Sequence, residues 1–224
     1  MRNNGFARSL AVFPNLFYLS DLCAVDDGAS SWNIFMNETT HEYGAFTPDL
    51  MPSVVPVRYS DADRVRFGSD SAAAYGYCYL AAIKAIGNWL AELKRLGVYD
   101  NTRIVIVADH GGSLPNKIFG ENGHETYNPL LLVKERNARF PLRISDAFMT
   151  NADTPSLLSK DLAHPVNPYT GNPVSDAEKA GPLYIYEAPG SQNRHGPYLY
   201  TLDSCQLVPP DRDIYSGSPW KEVK

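Results

Sequence analysis

The sequence predicts an α/β fold, with a mostly parallel sheet, flanking helices and a small antiparallel element near the C-terminal end. Three stretches carry that prediction. Residues 103–108, Arg103-Ile-Val-Ile-Val-Ala108, are a short β-branched run bounded by turn signals. A run of that length and composition reads as a strand buried on both faces, the usual state in a parallel sheet. Ahead of it, within residues 69–96, Tyr79, Ile83, Ile86, Leu90 and Leu93 recur at alternating four- and three-residue steps, which makes one apolar stripe of a helix laid on a sheet. Behind it, Leu130-Leu-Leu-Val133 is a second buried strand.

The remaining elements follow in order. Ser9 to Ser20 is apolar but carries Pro14 and Asn15; it is too short to span a bilayer and lacks a clean small-residue cleavage site, so it is expected to pack as a core segment. Trp32-Asn-Ile-Phe-Met-Asn37 reads as a short strand that delivers Thr39, Thr40 and His41 to its carboxyl end. Pro48, Pro52 and Pro56 mark a turn-rich excursion, with Arg58, Arg64 and Arg66 in or just after it. Gly97 is placed to stop the long helix as a C-terminal glycine. Residues 113–127 form a polar loop with Gly120 and Gly123. Thr154-Pro155 has the signature of an N-cap followed by a first-turn proline, predicting a short helix through Leu157 to Leu162. Asn167-Pro-Tyr-Thr-Gly171 is a turn, and the stretches 183–186, 198–200 and 206–208 are expected as short antiparallel strands.

With 224 residues, 44% hydrophobic and 20% charged, the chain buries a sizeable core and is globular. Residues 1–175 are read as the α/β body and 176–224 as a strand-rich tail of the same domain. The net charge of −5 and the absence of a Lys/Arg cluster exclude a general nucleic-acid binder. The 14 tyrosines fit a carbohydrate-facing surface or, equally simply, buried rings with bonded hydroxyls. Cys23, Cys78 and Cys205 have no zinc-type spacing; one bridge plus a thiol and three thiols are both open.

The chemistry concentrates where the first strand ends. Asp109-His110 comes directly after it and is followed by Gly111-Gly112. Ligands in open α/β sheets bind beyond the carboxyl ends of strands. A carboxylate beside an imidazole suits zinc or manganese, with calcium or magnesium also open, and glycines let the backbone turn close to a ligand. The plainer alternative is an Asp capping the next segment beside a surface His. His41, also after a predicted strand end, is the second candidate, for substrate contact. His124, in the loop before the second strand, is the third, with a solvated loop His as its alternative. Arg58, Arg64 and Arg66 suit an anionic pocket or a solvated loop. His164 and His195 read as turn residues.

The order of these segments resembles the sulfatase and alkaline-phosphatase superfamily, and within it the bacterial membrane-anchored sulfatase-like proteins related to lipoteichoic acid synthases and phosphoethanolamine transferases. The likeness rests on Trp89 to Thr102 leading into the Asp109-His110-Gly111 motif, on Asn37-Glu-Thr-Thr-His-Glu42, on Asn128-Pro-Leu-Leu-Leu-Val-Lys134, and on Phe148-Met-Thr-Asn-Ala-Asp-Thr-Pro155. It runs from about Ser31 to Gly171. The resemblance implies an alkaline-phosphatase-like fold, Asp109 and His110 as metal ligands, and His41, with His124 in some relatives, on the substrate side. It implies a phosphate or sulfate ester of an envelope glycan or lipid as substrate, on the extracytoplasmic face of a membrane. It also implies a further acidic ligand and a Thr or Ser nucleophile in segments that precede those matched here. The expectation is therefore the C-terminal part of a longer enzyme, anchored to the membrane only through upstream segments, whose 224 residues alone are inactive. The rival readings are a non-catalytic relative of the same fold and a carbohydrate-binding module.

Overall fold

A computed structural model of the chain describes residues 5–26, 28, 30–41, 46–111, 128–145, 147–167, 171–174, 184–187, 204–207 and 221–223. The chain divides into two compact units. One holds the described residues of Met1–Arg103 and Glu135–Arg139; the other holds those of Ile104–Ser113, Phe119–Lys134 and Phe140–Lys224.

The first unit is helical. Helix α1 spans Gly5–Phe17 and includes Pro14, so the segment read as a core packer is a helix whose Phe13 is buried. Helix α2, Asp61–Phe67, starts at a reciprocal cap between Ser60 and Asp63 and ends at Gly68 with φ 93°. Helix α3, Asp70–Arg95, is the predicted long helix. The Ser69 side chain accepts from the Ala72 N–H at its start. At its end Val98 N–H donates to the Leu93 carbonyl at 3.0 Å and Gly97 N–H to the Lys94 carbonyl at 3.1 Å, the double bond of a Schellman stop with Gly97 left-handed at φ 75°.

The buried face of α3 matches the predicted stripe only in part: Leu93 is buried, and Tyr79, Ile86 and Leu90 are half-buried. Ile83 is 63% exposed, whereas Ala73, Ala74, Tyr77, Cys78 and Ala81 are buried together with Phe13, Phe46 and Tyr59. Small side chains let neighbouring backbones and rings approach the helix closely, so the alanine face packs better than the bulkier stripe. Tyr59 and Tyr77 stack at 5.5 Å, and the Tyr59 hydroxyl donates to the Phe46 carbonyl at 3.0 Å.

A second correction falls on residues 32–37. They form no strand, and Trp32, Ile34, Phe35 and Met36 are all exposed. A strand exists only where a neighbour completes its ladder, and among the described residues none pairs with this stretch.

The second unit carries the strands. β1 (Ile104–Val107) and β2 (Leu131–Lys134) form a two-stranded sheet, and β3 (Tyr184–Glu187), β4 (Ser204–Leu207) and β5 (Lys221–Val223) form a three-stranded one. The first two lie within a residue of the predicted strands. They pair antiparallel, however, Ile104 opposite Lys134 and Val107 opposite Leu131, not in parallel as expected. The β3–β4 pairing is antiparallel as expected; the 198–200 stretch lies outside the described residues. Helix α4, Thr154–Ser159, has its proline in the first turn and follows a 3-10 turn over Asn151–Asp153. At the predicted turn, Gly171 N–H donates to the Asn167 carbonyl at 2.9 Å. The architecture is thus mixed helix and sheet, with every described strand pair antiparallel. Among the described residues no helix is long and apolar enough to cross a membrane.

Candidate metal centre

Asp109 and His110 leave the β1–β2 ladder just after its last bond, from Ala108 N–H to the Leu130 carbonyl at 2.9 Å. Beyond that bond no strand partner stands among the described residues, and both side chains reach solvent: the Asp109 side chain is 88% exposed and that of His110 56%. Three hydrogen bonds order them. The Asp109 Oδ1 accepts the His110 N–H at 3.0 Å. The His110 Nδ1 lies 2.7 Å from the Gly111 carbonyl oxygen. The Asp109 carbonyl accepts from the Asn151 Nδ2 at 2.6 Å.

The imidazole contact has a chemical consequence. A carbonyl oxygen has no proton to give, so the bond requires the proton on Nδ1. In the neutral ring that leaves Nε2 as the lone-pair nitrogen. The Asp109 Oδ1 is likewise occupied, so the outward-facing donors are Asp109 Oδ2 and His110 Nε2, 3.8 Å apart. Two donors on one tetrahedral zinc, with bonds of about 2.0–2.1 Å, stand about 3.4 Å apart. A small side-chain rotation at this exposed site covers the difference. A ligating His that gives its other ring proton to a backbone carbonyl is also the usual outer-sphere arrangement. The pair therefore fits a divalent metal as two of its ligands. Among the described residues no third His, Cys, Asp or Glu joins them.

The other candidates have surroundings of their own. His41 belongs to the first unit, in the turn closed by its own N–H to the Glu38 carbonyl at 3.1 Å, and its side chain is exposed. That turn is tied down on both sides. Asn37 Nδ2 donates to the Val12 carbonyl at 3.0 Å and Asn37 Oδ1 accepts the Thr39 N–H at 2.9 Å. The Cys78 thiol donates to the Thr39 carbonyl at 2.9 Å, and Thr39 is fully buried. His124 and His195 lie outside the described residues. His164 is exposed with φ 54°, as a turn residue would be. Cys23 and Cys78 are thiols, not disulfide partners of each other; the Cys205 side chain lies outside the described residues.

The three arginines make no shared pocket. Arg64 is held by Asp70 at 2.9 Å and Asp61 at 2.6 Å, and hydrogen bonding to Asp70 raises its pKa further. The Arg66 guanidinium lies 5.0 Å over the Phe67 ring, and Arg58 is exposed. Asp63 is claimed by the Tyr77 hydroxyl, whose hydrogen bond, with those from Ser60, holds the carboxyl below its usual range.

The residue that sequence reasoning missed is Asn151. Its signal was local and readable: Thr150 and Asp153 form a reciprocal cap inside the stretch already marked as a helix start. Nothing in that signal told which distant carbonyl the Asn would reach. Compared with the known protein families, with curated proteins and with solved structures, the chain matches none.

Proposed function

We propose that the chain is a metal-dependent domain of the sulfatase and alkaline-phosphatase superfamily, acting by hydrolysis or transfer on a phosphate or sulfate ester of a cell-envelope glycan or lipid at the extracytoplasmic face. The observation that supports this best is the oriented pair at the end of β1, with Asp109 Oδ2 and His110 Nε2 left outward 3.8 Å apart while their other donor atoms are spent on the backbone. Three of the segments that carry the resemblance also meet physically in one unit. β2 pairs with β1, and the start of the 148–155 stretch touches Asp109 through Asn151.

In this reading Asp109 and His110 hold a zinc or manganese ion, which polarises the ester oxygen. The resemblance gives His41 and His124 roles on the substrate side, and a mostly parallel sheet remains part of the same reading. The matched segments supply two metal donors; the family's remaining acidic ligand and its nucleophile belong to segments that precede them. A nucleophile and its metal work as a unit, so two metal donors by themselves supply little of the rate.

The test is metal binding. Residues 1–224 titrated with zinc or manganese should take up one ion per chain, and Asp109→Ala and His110→Ala should each lower that stoichiometry without loss of fold. Unchanged metal content in Asp109→Ala overturns the reading. The same chain, given p-nitrophenyl phosphate or sulfate, should show no multiple turnovers. Turnover that disappears with Asp109→Ala would mean a complete site within these residues.

A further inference from the structure

We propose that Asn151 is a positioning residue for the metal pair: its side-chain amide locks the peptide unit that joins Asp109 to His110, and so fixes the two ligands relative to each other. The inference rests on the metal reading above. The peptide between these residues is planar, so its carbonyl and its N–H cannot be oriented separately. The carbonyl end is held by Asn151 Nδ2 at 2.6 Å. The N–H end, on His110, is held by Asp109 Oδ1 at 3.0 Å. One rigid plane is therefore clamped at both ends, and it connects the Cα atoms of both ligands. The Asp109 carbonyl lies past the ladder bond of Ala108, so the Asn151 amide holds it where the described ladder no longer does.

Asn151 can act as a clamp because its own position is fixed. It opens the 3-10 turn Asn151–Asp153, whose reciprocal cap puts Asp153 Oδ2 2.6 Å from the Thr150 N–H and 3.2 Å from the Thr150 hydroxyl. Asp153 is buried, 3% exposed, and the turn runs directly into α4, which packs on β1. The line of force runs from a buried carboxylate, through a capped turn, to one amide, to the peptide between two ligands.

The experiment compares metal affinity in three variants of the whole chain. Asn151→Leu keeps the side chain's size and removes its donor; Asn151→Gln keeps an amide donor on a longer stem; Asp109→Ala removes a ligand. Cobalt serves as a spectroscopic probe beside zinc. The expected result for Asn151→Leu is a loss of about 10- to 100-fold in zinc affinity, the usual effect of removing an outer-sphere partner, with an altered cobalt visible spectrum and unchanged helical circular dichroism. Asn151→Gln should recover part of both. Zinc affinity and cobalt spectrum unchanged in Asn151→Leu, with binding abolished in Asp109→Ala, overturns the role of Asn151 alone and leaves the metal reading intact. Binding unchanged in Asp109→Ala overturns both. A measurement on the unsubstituted, ¹⁵N-labelled chain covers the case of a variant that fails to fold. The Asn151 amide signals should move with the His110 ring signals as zinc is added, and Asn151 signals that stay fixed while those of His110 move overturn the proposal.

Discussion

In the helical unit Phe46, Ala73 and Cys78 are sealed from solvent, whereas the two-stranded sheet of the other unit leaves Val107 40%, Leu132 37% and Val133 40% exposed. Ile104 is the single strand residue of that pair counted among the buried hydrophobics. Interior packing on this scale is where stability is concentrated, since a fully buried large side chain contributes roughly 1.5–3 kcal/mol relative to an exposed one. The helical unit thus spends its side chains on one another. The strand unit presents Asp109 and His110 at a strand end where their removal exposes no core. The contrast teaches that substitutions in the first unit are read in stability, whereas those at the exposed end of β1 leave stability little changed.

The sharpest way to break that contrast is a matched pair of truncations. Phe46→Ala removes a fully buried ring that meets Phe13 edge-on at 4.9 Å and should cost about 3–5 kcal/mol. Val133→Ala, at a surface already open, should cost well under half of that. Urea unfolding of both variants measures the difference, and equal costs would show that the strands are as well covered as the helices.

Tyr59→Phe should cost about 1–2 kcal/mol, because it strands the buried Phe46 carbonyl that the hydroxyl satisfies. Burial, reinforced by Cys78 and Tyr77, pushes the Tyr59 pKa up from 10.0 to about 12. A phenol whose folded pKa lies above its unfolded one stabilises the fold fully below the unfolded value. That contribution disappears as pH rises from 10 through about 12. The wild type should therefore lose stability over that alkaline window, and Tyr59→Phe should lose less; parallel curves would show that Tyr59 is not the group responsible.

Gly97→Ala places a side chain where φ is 75° but where nothing else lies within 4 Å. Its cost is then purely conformational, about 1 kcal/mol, and thermal unfolding detects it. No loss would mean that α3 ends differently in solution.

The smallest effect belongs to Asp63, whose carboxyl is held below its usual range by the Tyr77 hydroxyl and Ser60. A depressed carboxylate contributes above its unfolded pKa and loses that contribution as pH falls through its folded one. Wild type and Tyr77→Phe should therefore differ by a constant amount near neutrality, and the gap should narrow below about pH 4. A gap that persists unchanged into stronger acid would show that the ionised Asp63 carboxyl is not the group responsible.

Much of this molecule was legible locally. Ser69 and Gly97 bracket α3 as a cap and a stop should. The β-branched run became β1 and the leucine run became β2, and Thr154-Pro155 opens α4. Each of these signals acts within one or two turns of chain, so the sequence by itself determines it. The adjacency of Asp109 and His110, and their place after a strand, is of the same kind.

What only the tertiary structure decided is partnership. How α3 is buried depended on what came to lie against it: rings such as Phe46 cover its alanine face closely, while of the apolar stripe Leu93 is buried and Ile83 exposed. Residues 32–37 have strand-forming side chains but, among the described residues, no neighbour to complete a ladder. β1 and β2 took the antiparallel pairing, which neither strand's composition specifies. The amide of Asn151 found the carbonyl of Asp109 across 42 positions of chain. Propensity and capping are properties of neighbours in sequence; packing, ladder pairing and a clamp between distant residues are properties of neighbours in space, and these exist only once the chain has folded.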